Sequence, residues 1–527
     1  MIASGGDAVA NVYLAATAEF TPVRVVLRMF NASNVLTSTD TVTSLGATAL
    51  GTGLPTAQFL VRAPRLVTGA NWQVEVLPAG NQADDTTSND VFPRTGTTTL
   101  NVVSVPPLTI RFVPIVLSAN GNVVSAISSD SLTSYLQTLR SVHPLGVVNA
   151  HIAASFTTGA SFGTAPAGGD ASFWTELIAE LDLARIADPT EPTANWFGVV
   201  QPPPRFNYTN FGGFSYIPTV GTDAGAHTRT SAAVGPGWFN APTQARDLVA
   251  HEIGHTFGRA HAPCGGAGAP LDAGYPVPGG HIDQPGFDVY SWSYGLASGA
   301  SQIATSTGDV MGYCFPVWES AYTYKAILNF RSSTVVADRA PEPRTRVIAL
   351  RGSIDDRSGV SMSPAFSIDA RPTSPNGNGA YTLTGTDAAG RVLFTYRFDG
   401  AVIDHDAHVR HFTVAVPETP ELDSDLQAVR VTGPAGSSLL ARRPAPTTGA
   451  TLDRTPAIRR NADGSVGAAC PAVSRGVLIL DASTHTVLGI SPTPSLTLPP
   501  NQASAITVLC SDGLMTSRTS ATLSQLH

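Results

Sequence analysis

The run His251-Glu252-Ile253-Gly254-His255-Thr256-Phe257-Gly258-Arg259-Ala260-His261 constrains this chain more than any other segment. Residues four apart on an α-helix share a face, so His251 and His255 can aim ring nitrogens at one cation. Glu252, one residue on from the first histidine, then stands beside that cation instead of ligating it, where it can take a proton from water. A helix continued to residue 261 would turn His261 away. Gly258 can adopt a left-handed backbone, end the helix and bring His261 round as a third ligand. Three neutral imidazoles and one water make the open tetrahedral arrangement of a catalytic zinc, not the closed four-ligand arrangement of a structural one. The segment therefore demands a helix from about Thr243 to Gly258, begun after Pro242 in the permitted first turn.

The surroundings of that helix divide by periodicity. From about residue 9 to 105, short alternating runs such as 23–30, 58–62, 71–77 and 98–103, separated by turn residues, predict an all-β sandwich over 1–105. Between 106 and 340 the pattern changes. Strand-like runs at 108–117, 147–153, 196–200 and 213–217 alternate with helical spacing at 129–140 and 173–186. Such alternation predicts an α/β (α+β) domain with helices packed on a mixed sheet. Beyond 341 the β pattern returns, predicting one sandwich over 341–441, a linker near 442–449 and a smaller sandwich over 449–527. Length agrees, since 527 residues exceed one compact core.

Composition excludes several classes. The net charge is −8, only 13% of residues are charged, and Lys325 is the only lysine. No basic cluster could track a phosphate backbone, which argues against nucleic acid as a partner. Every apolar run is shorter than the roughly 18 residues of a membrane span. The N-terminus shows no basic segment followed by an apolar stretch, so no signal peptide is expected in this chain. Cys264, Cys314, Cys470 and Cys510 are even in number and lack C-x-x-C spacing, which favours disulfides and an oxidising compartment over a thiolate cage. Four buried free thiols are the alternative. His143, His151, His227 and His281 lack paired spacing and read as surface or structural residues. The turn Asp283-Gln-Pro-Gly-Phe-Asp288 offers carboxylates for calcium, but without a calcium-loop pattern it reads as an ordinary turn.

The eleven-residue pattern resembles the zinc helix of the metzincin clan of metalloproteases. The resemblance covers roughly residues 108–335. It implies a downstream Met-turn, which Gly308-Asp-Val-Met311-Gly-Tyr313-Cys314 fits, followed by a helix-like run from Glu319 to Phe330. Met311 is then the residue packed beneath the histidines, and Tyr313 matches a tyrosine that in some families hydrogen-bonds the developing oxyanion. A bridge from Cys264 to Cys314 would tie the third-ligand loop to the Met-turn, worth roughly 4 kcal/mol at most in the chain-entropy view. Cys470 and Cys510 would staple the last sandwich similarly, while Cys264 as a fourth zinc ligand is a competing idea. Substrate would add as a strand along Gly212 to Ile217, with Phe315-Pro-Val-Trp318 walling a neighbouring pocket.

The resemblance thus implies a secreted or cell-surface, monomeric zinc endopeptidase. His251, His255 and His261 would hold Zn2+, and Glu252 would act as general base on a protein or glycoprotein substrate. The flanking β domains resemble those of large secreted bacterial metzincins. No cysteine precedes Cys264, so the first domain cannot confer latency through a thiol. The rival from another class is a cell-surface adhesin whose metzincin-like domain binds without cutting, which would leave the Glu252 carboxylate without a purpose.

Overall fold

The computed structural model describes residues 1–14, 23–44, 55–77, 87–161, 171–191, 194–202, 212–218, 229–235, 242–333, 343–373, 378–442 and 455–525. The protein is β-rich and built from several sheets. The expected linker falls almost entirely outside the described residues, and His227 lies wholly outside them.

The central strand is Leu108–Leu117, whose alternation sets the two faces of the core. Leu108, Ile110 and Phe112 point to one face; Val113, Ile115 and Leu117 point to the other. Against the first face pack Ser129–Val142, capped by the Ser128 side chain, and Pro242–Thr256. Against the second packs Ala171–Ala187, through Phe173, Trp174, Leu177 and Leu181. The strand is flanked by Asn195–Val200 and Val148–Ile152, both parallel to it. Beyond Asn195–Val200 come Thr230–Val234, parallel, and then Gly213–Ile217, antiparallel.

One continuous sheet joins the segments that follow residue 106. On one side Gly213–Ile217 pairs with Ala401–Ile403, which leads through Val409–Pro417 to Thr345–Asp355. On the other, Phe156–Thr158 pairs with Val487–Ser491 and so with Gly476–Asp481 and Ala505–Ser511. One apolar cluster accordingly includes Ile115, Leu177, Phe366, Ile403 and Leu478. The first residues differ: Val25, Leu27, Met29, Phe59 and Val61 form a core of their own.

Both disulfides are present, Cys264–Cys314 with Cα atoms 5.5 Å apart and Cys470–Cys510 with Cα atoms 5.6 Å apart. Cys264 is therefore not a thiolate ligand. Among the described residues, no helix is long and apolar enough to cross a membrane.

Candidate metal centre

Pro242–Thr256 carries the first two histidines and stops where glycine was expected to stop it. Gly258 has φ +78°, and its amide donates to His255 O at 2.8 Å. A Cβ there would meet Pro218 O at 3.0 Å and the Phe330 ring at 3.2 Å, so the site needs glycine for space as well as for handedness. The chain then turns back. His261 N donates to Pro270 O, His261 O accepts from Asp272 N, and the ring of His261 comes to 4.6 Å from that of His255 and 5.2 Å from that of His251.

The hydrogen bonds around these rings determine which nitrogens are bare. His251 Nδ1 lies 2.7 Å from Val310 O, and His255 Nδ1 lies 2.6 Å from Arg259 O. A carbonyl oxygen only accepts, so each Nδ1 carries the proton and each Nε2 is left with a lone pair. Those two Nε2 atoms face one another at 3.1 Å. Burial lowers the pKa of His251 to about 4 and of His261 to about 2, and takes His255 well below its ordinary value, so a shared proton is disfavoured. A metal cation between them would satisfy both lone pairs. Metal–nitrogen bonds of about 2.0–2.1 Å in a tetrahedral site hold ligand atoms about 3.3 Å apart. The ligand atoms of His251, His255 and His261 all lie within 4.8 Å of one another, and all three residues are buried. The donor set fits a metal ion.

The Met-turn supports this cluster from below. Asp309 accepts from the Met311 amide at 2.8 Å with one oxygen, and from Ser320 N and Thr323 Oγ1 with the other. Met311 is buried, its carbonyl accepts from Ala262 N, and its sulfur lies where a Cβ on Gly254 would sit 2.4 Å away. Gly254 thus makes room for the thioether against the metal helix. The expected helix after the turn runs over Ala321–Ser333. His143 is structural and buried: its ring bridges Glu319 Oε1 at 2.7 Å and Ala250 O at 2.8 Å. His151 lies 3.4 Å from Glu191 at a half-exposed site, and His281 forms a bridge with Gly308. The carboxylates of the suspected calcium turn are engaged by backbone, Asp283 with Ala321 N and Asp288 with Ser291 N.

Glu252 is fully buried. Its Oε2 accepts from Ser215 Oγ at 2.5 Å, while Oε1 has no hydrogen-bond partner. Burial raises its pKa to about 8, opposed by its hydrogen bond with Ser215. Gly213 leaves space for the acid, since a Cβ there would lie 2.6 Å from Oε1. Tyr313 OH stands 3.3 Å from His261 Nε2 and 3.1 Å from His405 Nε2. A cavity of about 230 Å³ opens beside His251, Glu252 and Tyr313, walled by Leu248, Val310, Phe315 and Val317. Of the expected wall, Trp318 is not part of the lining; it stacks its edge on Gly286 instead.

Two residues at the centre had no counterpart in the sequence reading. Asp404 and His405 follow Ala401–Ile403, and the Asp404 carboxylate belongs to two further ligand-like groups, one with Glu252 and His255 and one with His261 and His405. The only trace in the sequence is the density of acids and histidines in Asp404-His405-Asp406-Ala407-His408, in a chain otherwise poor in charge. Their strand also covers the end of the edge expected to be free along Gly212 to Ile217. Tyr216 pairs with Ile403 and Ile217 with Val402. An edge strand exposes unpaired backbone groups, and here the chain's own downstream sheet satisfies them.

No family model matches this sequence, and no curated protein matches it. Among solved structures, the BSP domain of a biofilm associated protein is similar over 33% of this chain and 29% of that one, at 16% identity and TM-score 0.11. A glycosyl hydrolase family 2 member from Bacteroides cellulosilyticus DSM 14838 aligns over 99% of this chain and 77% of its own, at 12% identity and TM-score 0.14. Parabacteroides merdae β-glucuronidase aligns over 98% and 76%, at 8% identity and TM-score 0.14. Similarities this weak carry no argument about fold or activity.

Proposed function

We propose that this chain is a secreted zinc-dependent endopeptidase with a metzincin-like core over roughly residues 106–340. The observation that carries this reading is the convergence of three buried histidines, two of them with bare Nε2 atoms facing one another, with a buried glutamate one residue beyond the first. His251, His255 and His261 would hold the ion. When bound there, zinc would supply a Lewis acid for a carbonyl oxygen and make water more acidic.

The chain's own groups do the rest. Glu252 Oε1, free of hydrogen-bond donors, takes a proton from the attacking water and returns it to the leaving amine nitrogen. Ser215 holds the other oxygen and fixes the carboxylate's orientation. Tyr313 OH, beside His261, donates to the oxygen that gains charge as the carbonyl becomes tetrahedral. The cavity lined by Leu248, Val310, Phe315 and Val317 suits an apolar side chain next to the cleaved bond. Two disulfides suit an oxidising compartment. The covered edge along Gly213–Ile217 favours a second reading, a metal-holding domain that binds without cutting.

Cleavage of a mixed protein substrate by full-length protein and by Glu252→Ala, at one zinc per chain, tests the reading. We expect a fall of about 10²- to 10⁴-fold in the variant. Equal cleavage by both, or none even after Asp404→Ala, would overturn it.

A further inference from the structure

Resting on the peptidase reading, we propose that Asp404 is the fourth ligand of the metal ion, delivered by a strand that stands where a bound peptide would lie. Ala401–Ile403 pairs antiparallel with the end of Gly213–Ile217, at Tyr216 and Ile217, and the pairing continues one residue further through Asp404 N to Ser215 O at 3.0 Å. The Ser215 amide returns a bond of 2.7 Å to Asp404 Oδ1. That bond takes one carboxylate oxygen and aims the other. Asp404 Oδ2 is buried, has no hydrogen-bond partner, and lies 3.5 Å from His255 Nε2. A buried carboxylate oxygen without a donor is costly, and the side chains around it, His405 with Nε2 at 3.4 Å, His255 and Glu252, are all of types that ligate metal. A cation between the histidines satisfies it.

The next residue braces the arrangement. His405 holds φ +60°, a conformation that side chains other than glycine seldom adopt, and its ring packs 5.0 Å from both His261 and Phe214. The strained turn keeps Asp404 directed inward while the chain leaves the site. The carboxylate thus occupies the corner that water and substrate need, and the strand occupies the sheet edge. The folded chain is closed, and hydrolysis requires Ala401–His405 to withdraw.

The test uses the full-length protein and the variants Asp404→Ala, Asp404→Asn and His251→Ala, loaded with Zn2+ or Co2+. Chelator competition gives the metal affinity, the visible Co2+ spectrum reports the ligand set, and peptide cleavage reports access. Melting of each metal-free variant checks folding, and Asn keeps an oxygen for the Ser215 amide. We expect both Asp404 variants to hold zinc at least about tenfold more weakly and to change the Co2+ spectrum. Asp404→Ala should raise cleavage at least about tenfold, a gain abolished by adding Glu252→Ala. Unchanged affinity and spectrum in both variants overturn the proposal and leave the peptidase reading standing. Weaker binding without any cleavage overturns the closed-peptidase account and leaves a structural metal site. Wild-type affinity in His251→Ala removes the metal centre itself.

Discussion

Two buried clusters of ionisable side chains lie on opposite faces of the central sheet, and they are assembled on contrary principles. On the Ala171–Ala187 face, Asp182 Oδ1 accepts from Arg185 Nε at 3.0 Å, Arg185 Nη2 at 2.9 Å and Thr230 Oγ1 at 2.9 Å. Nearby, Tyr216 OH meets His411 Nδ1 at 2.9 Å. Donor faces acceptor throughout. On the Pro242–Thr256 face, acceptor faces acceptor: the Nε2 atoms of His251 and His255 meet at 3.1 Å, and Asp404 Oδ2 and Glu252 Oε1 are buried without a hydrogen-bond partner. Burial alone marks neither cluster as chemical, because both are equally dry. What separates them is that the first is satisfied by its own members, whereas the second gathers buried acceptors of the kind that could hold a cation.

The sharpest way to break this contrast is to damage each cluster with and without metal. Arg185→Met leaves Asp182 buried beside fewer donors, and we expect a loss of about 3–5 kcal/mol. Denaturant melts should show the same loss in zinc and in chelator; a loss that depends on metal would merge the two clusters. His255→Leu should behave oppositely. With free zinc about 1,000 times its dissociation constant, binding contributes about 4 kcal/mol, which the variant forfeits. In chelator the same change should cost little, because it removes one of two opposed lone pairs; an equal cost in both conditions would mean that the rings serve packing alone.

Acid offers a finer probe of the satisfied cluster. Burial lowers the pKa of His411 to about 4, helped by Arg351 and opposed by Asp182. Folding therefore favours the neutral ring, and its contribution is present above pH about 6.5 and lost as the pH falls towards 4. The loss amounts to about 3 kcal/mol, and His411→Asn should reduce the slope of stability over that window, leaving the part due to His143, whose pKa burial also lowers to about 4; a wild-type slope in the variant would place the titration elsewhere. The smallest effect is expected from Gly258→Ala, where a left-handed backbone costs about 1–2 kcal/mol. Zinc affinity should fall with it, since the same turn returns His261; unchanged affinity would show that the loop is held by Cys264–Cys314 alone.

The two clusters also differ in how much of them could be read from the chain. The histidines and Gly258 fall within eleven residues, and helix geometry alone brings His251 and His255 to one face. The strands around Leu108–Leu117 were legible in part, because alternation within a strand records which side is buried. The pairing of Gly213–Ile217 with Ala401–Ile403 joins residues far apart in sequence, and strand pairing has no local signature. Asp404 was hidden for that reason. So was the continuity of the sheet: Phe156–Thr158 meets Val487–Ser491 through backbone bonds that any apolar strand could make. Asp309 was hidden differently, because its role is to accept bonds from Met311, Ser320 and Thr323, which only the folded turn brings together.

The most direct test of the centre is calorimetric titration of zinc into the metal-free full-length chain and into His251→Ala, His255→Ala and His261→Ala. We expect one ion per chain in the wild type and at least about 100-fold weaker binding in each variant. Wild-type binding by any one of the three would contradict a single site built from all three rings.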